Sequence, residues 1–270
     1  ARNRFSSWFR GRTGPPDRRR QRVAVMPTCL VEFQATATGG DVVAVLEHNG
    51  FDCSLTSVGC CGLPWLHSGE SGRFAAVAAR NVEALASEIR NGGDVVVVEP
   101  ACADTIVRHY PAYVDPALRA DANLVAAHTS DVPDLLMRQQ RVAGGSDNGL
   151  DIDFTGEVPT RVAYHPAGPL ARHGDGYVAR DLIELTGAEV EVVSQRSGIE
   201  SLWAFRADHD ATAARETERL AESLGRGRHD VVVGDGHLSN EAIAARTGSV
   251  PVHPISLIAR AYGIPERTDD

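Results

Sequence analysis

An α/β fold of two tandem, duplicated parallel-sheet units is predicted by three observations. Short apolar runs have strand length, amphipathic stretches of helical period lie between them, and one long repeat returns both in the same order. The first strand is expected at Arg22-Val-Ala-Val-Met-Pro27, the second between Phe51 and Val58, and the third at Asp94-Val-Val-Val-Val-Glu99. Between the last two, the segment Ser71 to Arg90 puts Phe74, Val77, Ala78, Val82, Leu85 and Ile89 on one helical face, and Asn91-Gly92-Gly93 stops it. Strand, helix and strand in alternation argue a parallel sheet covered on both faces.

The repeat extends this reading to the rest of the chain. Arg22-Val-Ala-Val-Met-Pro returns as Arg161-Val-Ala-Tyr-His-Pro, and Asp94-Val-Val-Val-Val as Asp230-Val-Val-Val-Gly. A further strand is expected from Ala188 to Val193, and a helix from Asp210 to Leu224 closed by Gly225. A period of about 135 residues is a domain duplication rather than a solenoid, and the copies are expected to be related by pseudo-two-fold symmetry. Ala143-Gly-Gly-Ser-Asp-Asn-Gly149 has linker composition. The expected organisation is a connector over 1–20, a first unit over 21–142, a linker over 143–159 and a second unit over 160–270.

Composition narrows the function. All 27 basic residues are arginine and the net charge is −9, so nucleic acid is not the expected partner. The apolar runs fall short of the roughly 20 residues that span a bilayer. The chain starts at Ala1 and first reaches Met at Met26, so it reads as part of a longer frame. Five cysteines, two of them adjacent, make a poor disulfide framework and fit a reducing cytoplasm. Motifs of independent hydrolytic, nucleotide-binding or transferase chemistry are absent from the sequence.

Four cysteines form the candidate site: Cys29, the pair Cys60-Cys61, and Cys102. Each position follows one of the expected strands, so a parallel sheet would deliver all four sulfurs to its carboxyl edge. Thiolates select iron–sulfur clusters, zinc or Cu(I). Gly59, Gly62 and Pro64 bracket the pair and shape a tight ligand loop. In the second copy these landmarks become Gly168, Arg196, Ser197 and, near Leu238 or Ser239, no thiol at all. Cys53 alternates with Phe51 and Leu55 and reads as core. Glu99 reads as a surface or capping acid, and His67 as an exposed loop residue. Arg73 and Arg108 are near enough in sequence to offset thiolate charge, although solvated helix faces are the default for both. His165, His237 and His253 could line the vacated second pocket, with a secondary zinc site as the sharper alternative to plain turn roles.

Pro27-Thr-Cys29, Gly59-Cys-Cys-Gly-Leu-Pro64, Pro100-Ala-Cys102 with Arg108-His-Tyr-Pro111, Tyr164-His165 and Val252-His-Pro-Ile-Ser-Leu-Ile258 resemble the cysteine-rich CCG-domain family. That family supplies iron–sulfur subunits to anaerobic glycerol-3-phosphate, glycolate and lactate oxidation and to heterodisulfide reductase. Phe5-Ser-Ser-Trp-Phe-Arg10 resembles the connector after the ferredoxin-like segment of the glycerol-3-phosphate type. The resemblance implies a four-iron (4Fe-4S) cluster, or zinc, on Cys29, Cys60, Cys61 and Cys102. A fifth family cysteine falls on Glu99, which speaks against a five-thiolate cluster. It further implies a non-catalytic electron-transfer component of an oxidoreductase, fed by a flavin-containing dehydrogenase subunit and discharging to a quinone or a membrane quinone-reducing component. Such a chain is expected in the cytoplasm or peripherally at the inner face of the cell membrane. The alternatives are a zinc-binding or metal-free interaction module and, last, a thiol redox sensor using Cys60 and Cys61.

Overall fold

The computed structural model describes residues 4–14, 21–143, 149–168, 170, 177–199, 204 and 206–267. The chain divides into two compact units, 1–151 with 265–270, and 152–264.

The first unit opens with α1 (Phe5–Gly11), then β1 (Gln21–Met26), α2 (Thr28–Phe33), α3 (Thr36–His48) and β2 (Phe51–Leu55). It continues through α4 (Leu63–His67), α5 (Ser71–Arg90), β3 (Asp94–Val97) and α6 (Pro100–Asp104). One wider π turn, Thr105–His109, leads into α7 (Tyr110–Tyr113), and a 3₁₀ turn, Pro116–Leu118, into α8 (Arg119–Ala127), β4 (Thr129–Asp131) and α9 (Val132–Ala143). All four strands are parallel, in the order β2-β1-β3-β4, with Val25 beside Leu55 on one side and Val96 on the other. The Val-rich strands read as continuous apolar runs because a covered parallel sheet buries both faces.

Helix α5 has the predicted bounds. Its stripe of Phe74, Ala78, Val82, Leu85 and Ile89 is buried, each large side chain contributing about 1.5–3 kcal/mol. Val77 is only half-buried, and the polar Asn81 joins the stripe. Strand β4 has no sequence signature: Thr129-Ser-Asp131 is polar, and pairing with Val95 to Val97 makes it a strand. The expected strands ending at Val58 and Glu99 stop earlier, at Leu55 and Val97, and the residues between become the loops that carry the cysteines. Phe5, expected in a connector, is fully buried, and a Cβ on Gly39 would strike its ring. The glycine is what lets α1 seat on α3.

The second unit contains β5 (Arg161–His165), α10 (Val178–Glu184), β6 (Glu189–Val192), α11 (Asp210–Arg226), β7 (Val231–Gly234), α12 (His237–Thr247) and α13 (Pro254–Ala261). Its three strands are parallel in the order β6-β5-β7, and Val252 adds a parallel bridge to Val233. Helix α11 runs through Gly225 to Arg226 rather than stopping at the glycine, because Gly227 is the residue that leaves helical geometry. Thr217, Leu220 and Leu224 form its buried side.

Candidate metal centre

The cysteines stand where the carboxyl ends of the first sheet's strands turn into helices. β1 leaves through Pro27 into α2, whose first residue, Thr28, has φ of 64°. That left-handed conformation is costly for a β-branched side chain. Thr28 is fully buried, and Cys29 behind it is exposed.

The adjacent pair lies in the loop between β2 and α4. Cys60 is exposed and Cys61 is buried, so the pair divides between solvent and core. Gly62 follows with φ of 82°, and a Cβ there would approach Val77 Cγ1 to 2.9 Å. Only glycine suits this position, and its amide donates to Cys60 Sγ at 3.4 Å. Two helices fasten the carbonyls: Asn81 Nδ2 of α5 donates to Cys60 O, and Tyr110 Oη of α7 donates to Cys61 O, each at 2.8 Å. Asn81 also donates to the Tyr110 hydroxyl at 2.8 Å, which closes the network. Burial pushes the Tyr110 phenol up, so it remains a donor.

Cys102 is buried in the first turn of α6, one residue past Ala101, with its amide on Glu99 O at 2.9 Å. Its sulfur meets Cys61 Sγ at 2.8 Å. That contact, then burial, then the nearby Glu99 carboxylate push the Cys102 thiol up. Glu99 is not the surface acid expected from its place at a strand end, since only 6% of it is exposed. The other two sulfurs pair as well. Cys29, donating to Cys60, is pushed up, and Cys60, accepting that bond, is held down to about 6, helped by the Gly62 amide and the Arg80 charge.

Four thiols thus make two close pairs that sense one another's charge. Cys53, by contrast, is buried in β2 as expected. His67 is exposed, but it ends α4 rather than lying in a loop. Arg73 stacks over Trp65 and pairs with Glu70, while Arg108 pairs with Asp104, so the nearby charge acting on Cys60 comes from Arg80 instead. Sequence reasoning missed Arg80 and Asn81, and it noticed Tyr110 only as part of the Arg108–Pro111 motif, without a role at the site. Asn81 left a signal: it is a polar residue in register with the apolar stripe of α5.

Among the described residues, no group of three or more His, Cys, Asp or Glu stands at the spacing of a ready-made metal site. The 2.8 Å between Cys61 and Cys102 is shorter than the roughly 3.8 Å between sulfurs of a tetrahedral zinc–thiolate site, so loading would part the pair. The donor set fits a thiolate-ligated group all the same. It offers four free sulfurs at the ends of three strands, a glycine turn with an amide aimed at one of them, and a cation nearby.

In the second unit, the corresponding edge carries hydroxyls. Ser197 Oγ and Ser239 Oγ lie 2.8 Å apart, both buried. Gly198 follows with φ of 75°, Ile199 N donates to Ser197 Oγ at 3.2 Å, and Thr217 Oγ1 of α11 donates to Ser197 O at 2.5 Å.

Comparison with known proteins agrees with the thiol pattern. Residues 23–106 match the family model described as CCG, cysteine-rich domain. The C subunit of the anaerobic glycerol-3-phosphate dehydrogenase of Escherichia coli (strain K12) is 24% identical over 261 residues, covering 95% of this chain and 63% of that protein. Its counterpart in Escherichia coli O157:H7 matches equally. The chain therefore spans 63% of the length of the curated relatives it matches. Among solved structures, a protein described as a putative Asp/Glu racemase from Yersinia pestis aligns with 90% of this chain and 99% of its own, at 13% identity and a TM-score of 0.39. An aspartate racemase homologue from Pyrococcus horikoshii OT3 aligns with 88% of this chain and 96% of its own, at 13% identity and a TM-score of 0.35. Likenesses that distant say nothing of the chemistry here.

Proposed function

We propose, from the premise that this chain belongs to the cysteine-rich CCG-domain proteins, that it is an iron–sulfur electron-transfer subunit or domain of a flavin-linked oxidoreductase. One observation carries the reading: four free thiols from three strand ends interact at one sheet edge. Cys29, Cys60, Cys61 and Cys102 would hold the group, a four-iron cluster. When bound, it supplies reversible one-electron storage.

The chain's own residues do the rest. Gly62 brings its amide to Cys60 Sγ, and hydrogen bonds to sulfur help set a reduction potential. Asn81 and Tyr110 hold the loop so that both sulfurs of the pair keep their aim. Buried Cys61 and Cys102 keep water from one side, while exposed Cys29 and Cys60 leave the other open to a redox partner. Arg80 lowers the cost of thiolate charge.

Similarity to the C subunit of the anaerobic glycerol-3-phosphate dehydrogenase supports a dehydrogenase subunit as electron donor; that donor is proposed to be flavin-containing and to oxidise glycerol-3-phosphate, glycolate or lactate. The acceptor is a quinone or a membrane quinone-reducing component, with the chain in the cytoplasm or against the inner face of the membrane. No helix among the described residues is long and apolar enough to cross a bilayer. The two units are copies of one domain, joined across 143–159, of which the second has lost its thiols. Their parallel sheets, each with the first strand of the unit inside, and the matching 2.8 Å contacts of Cys61 with Cys102 and Ser197 with Ser239 support this.

Anaerobically purified protein tests the proposal. Iron and sulfide in near-equal amounts, broad visible absorption and an EPR signal on reduction are expected. Zinc without iron would replace the electron carrier with a structural module.

A further inference from the structure

The last rung of each sheet differs between the units in a way the thiols do not explain. In the first sheet this rung is Met26 beside Val97, and both belong with Ala103 of α6 to one buried apolar cluster. In the second it is His165 beside Gly234. Val252 bridges Val233, so His253 lies one residue further along, on the other side of Gly234. Side chains directly across neighbouring strands share a face. His165 and His253 therefore flank the bare Cα of Gly234.

Helix α12 roofs this row. A Cβ on Gly234 would overlap the carboxamide oxygen of Asn240, whose Nδ2 donates to Gly234 O at 2.8 Å. His237, three residues before Asn240 on the same helical face, acts on His253 through its charge.

The ring nitrogens can be assigned from their partners. His253 Nδ1 accepts from Ile255 N at 3.2 Å, and burial keeps the ring neutral, so its proton is on Nε2. His165 Nε2 lies 3.0 Å from Gln195 O; a carbonyl only accepts, so this nitrogen is protonated and Nδ1 is bare. His253 Nε2, His165 Nδ1 and Asn240 Oδ1 are all buried without a partner. One donor and two acceptors are left over. The zinc site considered for these histidines is disfavoured by the same assignment, because His253 cannot offer Nε2 to a metal while Nδ1 caps α13.

An orphaned buried polar atom is costly, and buried polar groups are rarely left so. A water molecule donates twice and accepts, and internal waters commonly make about three such bonds. We propose that an ordered internal water bridges these three atoms, donating to His165 Nδ1 and Asn240 Oδ1 and accepting from His253 Nε2. Glycine standing where the first sheet has Val97 admits the Asn240 carboxamide to this row, and the polar groups come from His165 and Asn240 standing where the first unit has Met26 and Ala103. The thiol half would thus be packed dry and the hydroxyl half wet.

A crystal structure of the full chain at high resolution tests this directly, together with water-¹⁷O relaxation dispersion in solution. One slowly exchanging water bonded to all three atoms is expected, with both histidines carrying their proton on Nε2 by ¹⁵N spectroscopy. Asn240→Leu should abolish that slowly exchanging water. Direct pairing of the three atoms around a dry centre, or a metal or larger molecule in their midst, would overturn the assignment. Should the variant fail to fold, the wild-type crystal structure decides.

Discussion

The carboxyl edges of the two sheets share a contact and differ in its chemistry. Cys61 and Cys102 touch at 2.8 Å in one unit, and Ser197 and Ser239 at 2.8 Å in the other. The first member of each pair is followed by a left-handed glycine, Gly62 or Gly198, and its carbonyl accepts a hydrogen bond from a helix, through Tyr110 in one unit and Thr217 in the other. A hydroxyl pair satisfies itself by a hydrogen bond, whereas a thiol pair is a poor hydrogen-bonding couple and a good soft-ligand set. The loop geometry can therefore stand without the ligands. Shape alone does not report a metal site; the sulfur does.

The largest expected effect separates the edges outright. Cys61→Ser should remove most bound metal, while Ser197→Ala in the same preparation should leave metal per chain unchanged. Elemental analysis of both variants reads the difference, and full occupancy in the Cys61 variant would break the ligand assignment.

Acid should also divide the units, with opposite signs. Burial pulls His165 down to about 4 and His253 to about 3, so from pH 6.5 downward the unfolded chain takes up protons first and the second unit loses stability. The loss is about 3 kcal/mol from His165 alone. Burial pushes Asp131 of the first unit up to about 6, so the folded state binds its proton first and that contribution improves as pH falls from 6 toward 4. Hydrogen exchange at pH 7 and pH 4.5, resolved by peptide, should show faster opening in 161–264 than in 21–143; the reverse order would contradict the assigned shifts.

A smaller effect probes the loop. Asn81→Leu strips Cys60 O and the Tyr110 hydroxyl of a partner and should cost about 1–3 kcal/mol in thermal or denaturant unfolding, with weaker metal retention. Thr217→Val, which strips Ser197 O of its donor in the second unit, should lower stability without touching metal. Least of all, Cys53→Ser should leave metal content intact, since that sulfur is core in β2.

How far the sequence exposed these features depends on where their cause lies. Helix α5 was readable to its ends because the apolar stripe and the Asn91-Gly92-Gly93 stop are local. Strand β4 was not, because Thr129-Ser-Asp131 becomes a strand only through Val95 to Val97. The four cysteines were legible by residue type and by their position after strands. Their pairing into exposed and buried couples was not, because it depends on Gly62 and on α5 and α7 arriving from elsewhere. Glu99 does stand at the cap position before α6, but its side chain makes no cap hydrogen bond and is buried, which a strand-end acid does not announce.

The fastening of the adjacent pair has a consequence for survival in air. A disulfide between neighbouring residues closes a small, strained ring and needs the intervening peptide to twist. Asn81 grips the carbonyl of that peptide, Cys60 O, and Tyr110 grips the next one, Cys61 O. Closing that ring works against both hydrogen bonds, so oxidation is steered away from the adjacent pair and toward the contact of Cys61 with Cys102 at 2.8 Å.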